Sequence, residues 1–445
     1  MNRRLSLVAA LALSMVHTVA TAAGFQVLTA GKVIRLENRG DPARNTATLV
    51  VGRDRALQSL RDPRCPATSA VEVEVYLQST FRDAVLAEVE LDCSKWSAAR
   101  GGFRYSDPDG TIRRIRYGRG GLRIDVGGAG FMPHTGPVGF AQVELVIGND
   151  RLRVRAHNFV RNDAESIRSR KPTSAAAAGE AAFWDAITGD DSSEAREQEA
   201  LRILGKARKR DGRSHFLRAM LHLYRFGQRV TRFDDVSSDA REELVQANAA
   251  FATALPLLWD DATGTGDSRV PGFAAAAKYM QGVVDGDATL RAAGLADLAH
   301  AVEVNAFFNV FDFIPVLQAL PPGDVAFQEA FTFVTTYLND PATLQCVITQ
   351  PEICANEGLA PRNLQGSLTL FGDLYAKAGN LQQAQTWYNL GIAFPDTATW
   401  KFRAILQDRV ANAAARVALY ADANAANDPP LVGAGPEACA VCHVR

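Results

Sequence analysis

The sequence predicts a multidomain β + α chain, an antiparallel β-sandwich followed by an all-α domain. Three observations carry that prediction. Apolar residues alternate with period two up to about residue 160 and recur at helical spacing beyond it. The charge changes sign near the same place. Residues 24–172 hold 24 Lys/Arg against 17 Asp/Glu, and residues 173–445 hold 22 against 32. The length of 445 residues also suits about two to four domains. At 47% apolar and 22% charged residues, the composition excludes bulk disorder and collagen-like sequence. A net charge of -1 argues against a generic nucleic-acid binder.

The first segment reads as a secretory signal peptide over residues 1–23. Arg3 and Arg4 precede an apolar run from Leu5 to Val16, and the small residues Ala20, Thr21, Ala22 and Ala23 form the exit. The run is too short to span a bilayer, and no later stretch is apolar enough to do so. Cleavage places the mature chain in the periplasm or outside the cell, where thiols oxidise.

The sandwich is expected over residues 24–160. Val71-Glu72-Val73-Glu74-Val75-Tyr76-Leu77 alternates apolar and charged residues, as does Arg151-Leu152-Arg153-Val154-Arg155. Further strands are expected over 32–37, 47–51, 85–91, 111–117, 122–126 and 141–147. Asp107-Pro108-Asp109-Gly110 is a turn signal between two of them. Cys65 and Cys93 are expected to pair within this domain. The basic stretch Arg113 to Arg119 reads as the solvated face of a strand in preference to a docking site for an acidic partner.

Residues 161–178 read as a linker, because charges are followed by Lys171-Pro172 and a small-residue run. The helical domain is expected over 179–425. Helices are placed at 195–210, 215–226, 239–258, 273–284, 288–311, 325–338, 364–378, 381–394 and 399–421. Asp191 and Glu194 have the spacing of a capping box. Cys346 and Cys354 flank a short loop and are expected to form a local disulfide.

Residues 368–395 read LTLFGDLYAKAGNLQQAQTWYNLGIAFP. Leu368, Phe371-Gly372 and Tyr375, then Gly379, then Ala384, Tyr388 and Gly391, resemble one tetratricopeptide repeat. Pro395 falls one position earlier than that family's closing proline. The resemblance implies a tetratricopeptide-like helical domain that binds peptides or proteins in a groove. A plain helical bundle is the competing reading, since other helix pairs do not keep the period.

The tail over 426–445 carries the chemistry. Cys439-Ala440-Val441-Cys442-His443 resembles the c-type cytochrome haem-attachment motif. The resemblance implies one covalent haem c, with Cys439 and Cys442 as thioether donors and His443 as the iron ligand. Only two residues follow His443, so the compact small-cytochrome fold is not encoded around it. A distal ligand must come from upstream, with His215, Met220, His222, Met280 and His300 as candidates, or the iron stays five-coordinate. A reading frame continuing past Arg445 is another explanation for the abrupt end. A thiol-redox tail and a metal-binding tail are the alternatives to haem. No hydrolase, metalloprotease, nucleotide-binding or dinucleotide-binding motif occurs. The expected role is one-electron transfer to a redox-partner protein, and the alternative is a non-redox assembly scaffold.

Overall fold

The structure is a computed structural model. It describes residues 24–27, 33–39, 41–52, 62–64, 71–78, 83–119, 121–128, 140–147, 150–156, 159–162, 165–169, 174–188, 193–206, 208–340, 362–422, 427–432 and 442. The expected signal peptide, Cys65, Cys346, Cys354, Cys439 and His443 lie outside the described residues.

The first part is built of two sheets. One has the order β1-β11-β10-β4-β5 and comprises β1 (Gly24–Val27), β11 (Asp150–Ala156), β10 (Phe140–Ile147), β4 (Val71–Gln78) and β5 (Asp83–Leu91). The other has the order β12-β13-β2-β3-β9-β8-β7-β6. Its strands are β12 (Phe159–Asn162), β13 (Ser166–Ser169), β2 (Val33–Glu37), β3 (Thr46–Val51), β9 (Gly121–Gly127), β8 (Ile112–Gly118), β7 (Gly102–Ser106) and β6 (Trp96–Ala99). Pairing is antiparallel except between β1 and β11, which run parallel.

Alternation explains the shared core. In β9, Leu122, Ile124 and Val126 are buried while Arg123 is exposed. Val143, Leu145, Ile147 and Val154 of the first sheet join Ile34, Leu49, Ile115 and Ile124 of the second in one apolar cluster. Each such side chain contributes about 1.5–3 kcal/mol on burial. Trp96 closes the cluster, tilted against Tyr105 and edge-on to Tyr117, with centroids 5.3 and 5.7 Å away. Asp107 makes the expected turn, since its carbonyl accepts from the Gly110 N–H at 3.2 Å.

The expected linker is corrected. Residues 161–178 hold the end of β12, all of β13 and the start of a helix at Ser174. Ile167 and Ser169 are buried, and the Ser169 hydroxyl accepts from the Ile34 N–H at 2.8 Å. Four residues give too short an alternation to read from sequence, but pairing with β2 supplies the missing hydrogen bonds.

The second part is mostly helical. Its helices are α1 (Ser174–Thr188), α2 (Glu194–Leu204), α3 (Gly212–Arg229), α4 (Ser238–Leu258), α5 (Val270–Val284) and α6 (Ala288–Val304). The short α7 (Ala306–Asn309) and α8 (Ile314–Ala319) lead to α9 (Val325–Leu338), α10 (Asn363–Lys377), α11 (Leu381–Ala393) and α12 (Arg403–Ala421). The N-cap of α2 is Ser193, and Asp191 of the expected capping box lies outside the described residues. The helix expected over 288–311 breaks at Asn305. That residue leaves helical geometry at φ -152°, and its buried amide donates to Ser268 Oγ at 2.8 Å while its oxygen caps the Phe308 N–H.

A charged cluster joins α2, α3 and α4. Arg225 is only 2% exposed and bonds Glu243 at 2.6 Å and Glu197 at 3.1 Å. Burial alone raises the Glu243 carboxyl, but hydrogen bonds from His222, Arg225 and Arg229 outweigh it and hold the group at about 2. Its folded value lies below the usual 4.5, so its stabilisation is complete above 4.5 and is lost as pH falls toward 2. The contribution is about 3 kcal/mol at neutral pH. Glu243→Gln is expected to lower stability at pH 7 and to flatten the acid limb, as read by urea midpoints between pH 2 and 7.

Candidate functional site

The described part of the tail follows α10 along its length. At the C-terminal end of that helix, Asp428 is attracted by Lys377 and by Arg232, which lies in the loop after α3. Lys377 is buried, and its Nζ donates to the carbonyls of Leu317 at 2.9 Å and Gln318 at 3.1 Å. Burial pulls the ammonium down to about 8.

Further along, Pro429 and Pro430 present their carbonyls to α12. The Tyr420 hydroxyl donates to the Pro429 carbonyl at 2.6 Å, and Arg416 Nη2 donates to that of Pro430 at 2.9 Å. Proline cannot donate an amide, so carbonyls are all that this dipeptide offers. Leu431 and Val432 are buried in the same apolar cluster as α10, α11 and α12. The Val432 N–H donates to Asp373 Oδ2 at 2.7 Å.

Asp373 is the centre of this arrangement. It is fully buried in α10, and its other oxygen accepts from the Tyr388 hydroxyl at 2.6 Å. Arg409 and Arg416 approach that oxygen at 3.3 and 3.2 Å. Burial, with the Asp373 charge next, pushes the Tyr388 hydroxyl far above its usual range, so it stays a donor. A buried carboxylate is tolerated here because two guanidinium groups and two hydrogen-bond donors meet it.

The path ends at the opposite end of α10. The Cys442 carbonyl accepts from the Arg362 N–H at 2.9 Å, and Arg362 is the N-cap residue of that helix. A second anchor holds Arg362, whose Nη2 donates to Thr399 Oγ1 at 3.0 Å. Cys442 is half-buried. Cys439 and His443 lie outside the described residues, so only one member of the predicted Cys439, Cys442 and His443 set is placed.

The proposed distal ligands are held elsewhere. His215, Met220 and His222 are on α3, and Met280 is on α5 within a separate apolar cluster. His222 is buried with Nδ1 bonded to Glu243 at 2.6 Å, and its Nε2 has no hydrogen-bond partner among the described residues. His300 is exposed and bonds Asp261 at 2.9 Å. The loop after α3 meets the tail at Asp428, whereas Cys442 is at the far end of a 15-residue helix, about 22 Å long. α3 packs in one apolar cluster, and α10, whose N-terminus bonds Cys442, packs in another.

Sequence reasoning missed Asp373, Arg409, Arg416 and Tyr420. Each sits in a helix among residues of ordinary helical composition, and only the return of the tail gives them a common partner. Among the described residues no group of three or more His, Cys, Asp or Glu could hold a metal ion. No described helix is long and apolar enough to cross a membrane. Cys93 is a half-cystine, and its expected partner Cys65 is outside the described residues. No family model, curated protein or solved structure matches this chain.

Proposed function

We propose that this chain is an exported haem c protein that passes single electrons to a protein partner docked on its helical part. Cys439 and Cys442 would hold the haem as thioethers and His443 would ligate the iron, which supplies one-electron redox chemistry. The observation that carries this reading is the Cys439-Ala440-Val441-Cys442-His443 spacing on a tail fastened to α10. Fastening favours electron transfer because it fixes the motif relative to the protein surface. Half-burial of Cys442 fits a thiol that must be reached by an attachment machinery.

The scaffold is read as tetratricopeptide-like. Small residues face large ones between the paired helices, with Gly372 against the Tyr388 ring and Gly391 against Leu406. Gly379 makes the turn at φ +79°, a conformation that side chains disfavour. The two sheets are read as a sandwich, with disulfides Cys65–Cys93 and Cys346–Cys354 formed after export.

The experiment is expression in cells competent for cytochrome c maturation, followed by intact mass and a haem stain of denatured protein. The expected result is a mass of processed polypeptide plus one haem, with the stain surviving denaturation. Cys442→Ala is expected to lose most covalent haem, and His443→Ala to shift the absorption spectrum. A mass equal to the bare polypeptide would reject haem. It would promote the second reading, a non-redox assembly scaffold.

A further inference from the structure

The outer face of the eight-stranded sheet carries arginines in direct cross-strand register. Arg104 of β7 faces Arg116 of β8, which faces Arg123 of β9. Two strands beyond β9, Arg35 of β2 faces Arg168 of β13, which faces Arg161 of β12. All but the half-buried Arg104 are exposed. Like charges placed directly opposite destabilise a sheet. Four such pairs on one face are therefore a cost that packing does not explain.

Some of this charge is balanced. Arg123 bonds Asp125 at 2.9 Å, Arg161 bonds Glu165 at 2.8 Å and Arg35 bonds Glu37. Arg104, Arg116 and Arg168 make no ion pair among the described residues. The aromatic side chains nearby do not share this face, since Trp96, Tyr105 and Tyr117 are buried in the core.

We propose that this face binds an acidic polysaccharide laid across the strands. The arginines form two rows of three, offset by two residues along the strands and separated by β3, which places Thr48 and Val50 on this face; together they cross seven adjacent strands, about 29 Å at the usual strand spacing. A band fits a linear polyanion better than it fits the plane of a membrane. The planar guanidinium fork suits carboxylate and sulfate groups, and every cation in the band is Arg. Single-stranded nucleic acid is recognised largely by stacking on aromatic side chains, which this face does not present at β6 to β9. The sequence reading of Arg113 to Arg119 as a merely solvated strand face is thereby extended, because register adds arginines from distant parts of the chain. This inference does not depend on the haem.

The test is binding of the full chain to polygalacturonate and to heparin, with neutral dextran, a single-stranded oligonucleotide and anionic phospholipid vesicles as comparators. Binding to the acidic polysaccharides is expected, weakening about tenfold or more between 50 and 200 mM salt as counterions compete. Arg116→Gln and Arg168→Gln are each expected to weaken it several-fold, and the double variant more, while the melting temperature stays the same or rises. Absence of polysaccharide binding would overturn the proposal. So would tighter binding to the oligonucleotide or the vesicles, or unchanged polysaccharide affinity in the double variant. A fall in melting temperature in both variants would assign these arginines to structure instead.

Discussion

Asp373→Ala is expected to destabilise the helical part by about 3–5 kcal/mol, the usual effect of removing one partner from a buried ion pair. The carboxylate is fully buried, and both guanidinium groups that meet it are largely buried. Removing it leaves Arg416 without a carboxylate and Arg409 with only the exposed Asp408, and the Tyr388 hydroxyl and Val432 N–H lose their acceptor. Two measurements check this. The urea midpoint should fall, and the Val432 amide should lose its protection from hydrogen exchange before the rest of α10 does. Asp373→Asn keeps an acceptor while removing the charge, so its loss should be intermediate. If Val432 stays protected in Asp373→Ala, the tail is held by its apolar contacts and not by this carboxylate.

Gly372→Ala should cost about 3 kcal/mol, at the upper end for overpacking. A Cβ at that position would lie 2.2 Å from the Tyr388 ring. The ring cannot swing aside cheaply, because its hydroxyl is bound to Asp373 at 2.6 Å and its body is fully buried. A helix interior ordinarily gains about 1 kcal/mol when glycine is replaced by alanine. The sign of the change therefore separates the two effects: thermal unfolding should show a lower midpoint, whereas simple helix propensity would raise it. Combining Gly372→Ala with Tyr388→Leu should recover part of the loss by removing the edge of the ring.

The chain's order of parts was legible early because hydrophobic period and net charge are local quantities. The strands with long alternation were found nearly in place, as for Val71–Gln78 and Phe140–Ile147. Short strands such as Gly24–Val27 and Ser166–Ser169 were not, because four residues carry little periodic signal and the sheet itself supplies their partners. The Cys439 to His443 motif was visible because its information lies in spacing along five adjacent residues.

What the sequence determined by itself is thus the division into a strand-rich basic part and a helix-rich acidic part, and the cysteine-histidine motif. Each depends on residues near one another in the chain. Tertiary structure alone decided that the tail returns to α10, that Asp373 becomes its anchor, and that α3 and α10 belong to different apolar clusters. It also decided that arginines from positions 35, 104, 116, 123, 161 and 168 share one face. Cross-strand register and the return of a tail join residues tens to hundreds of positions apart, and no local pattern of apolar or charged residues encodes such pairings.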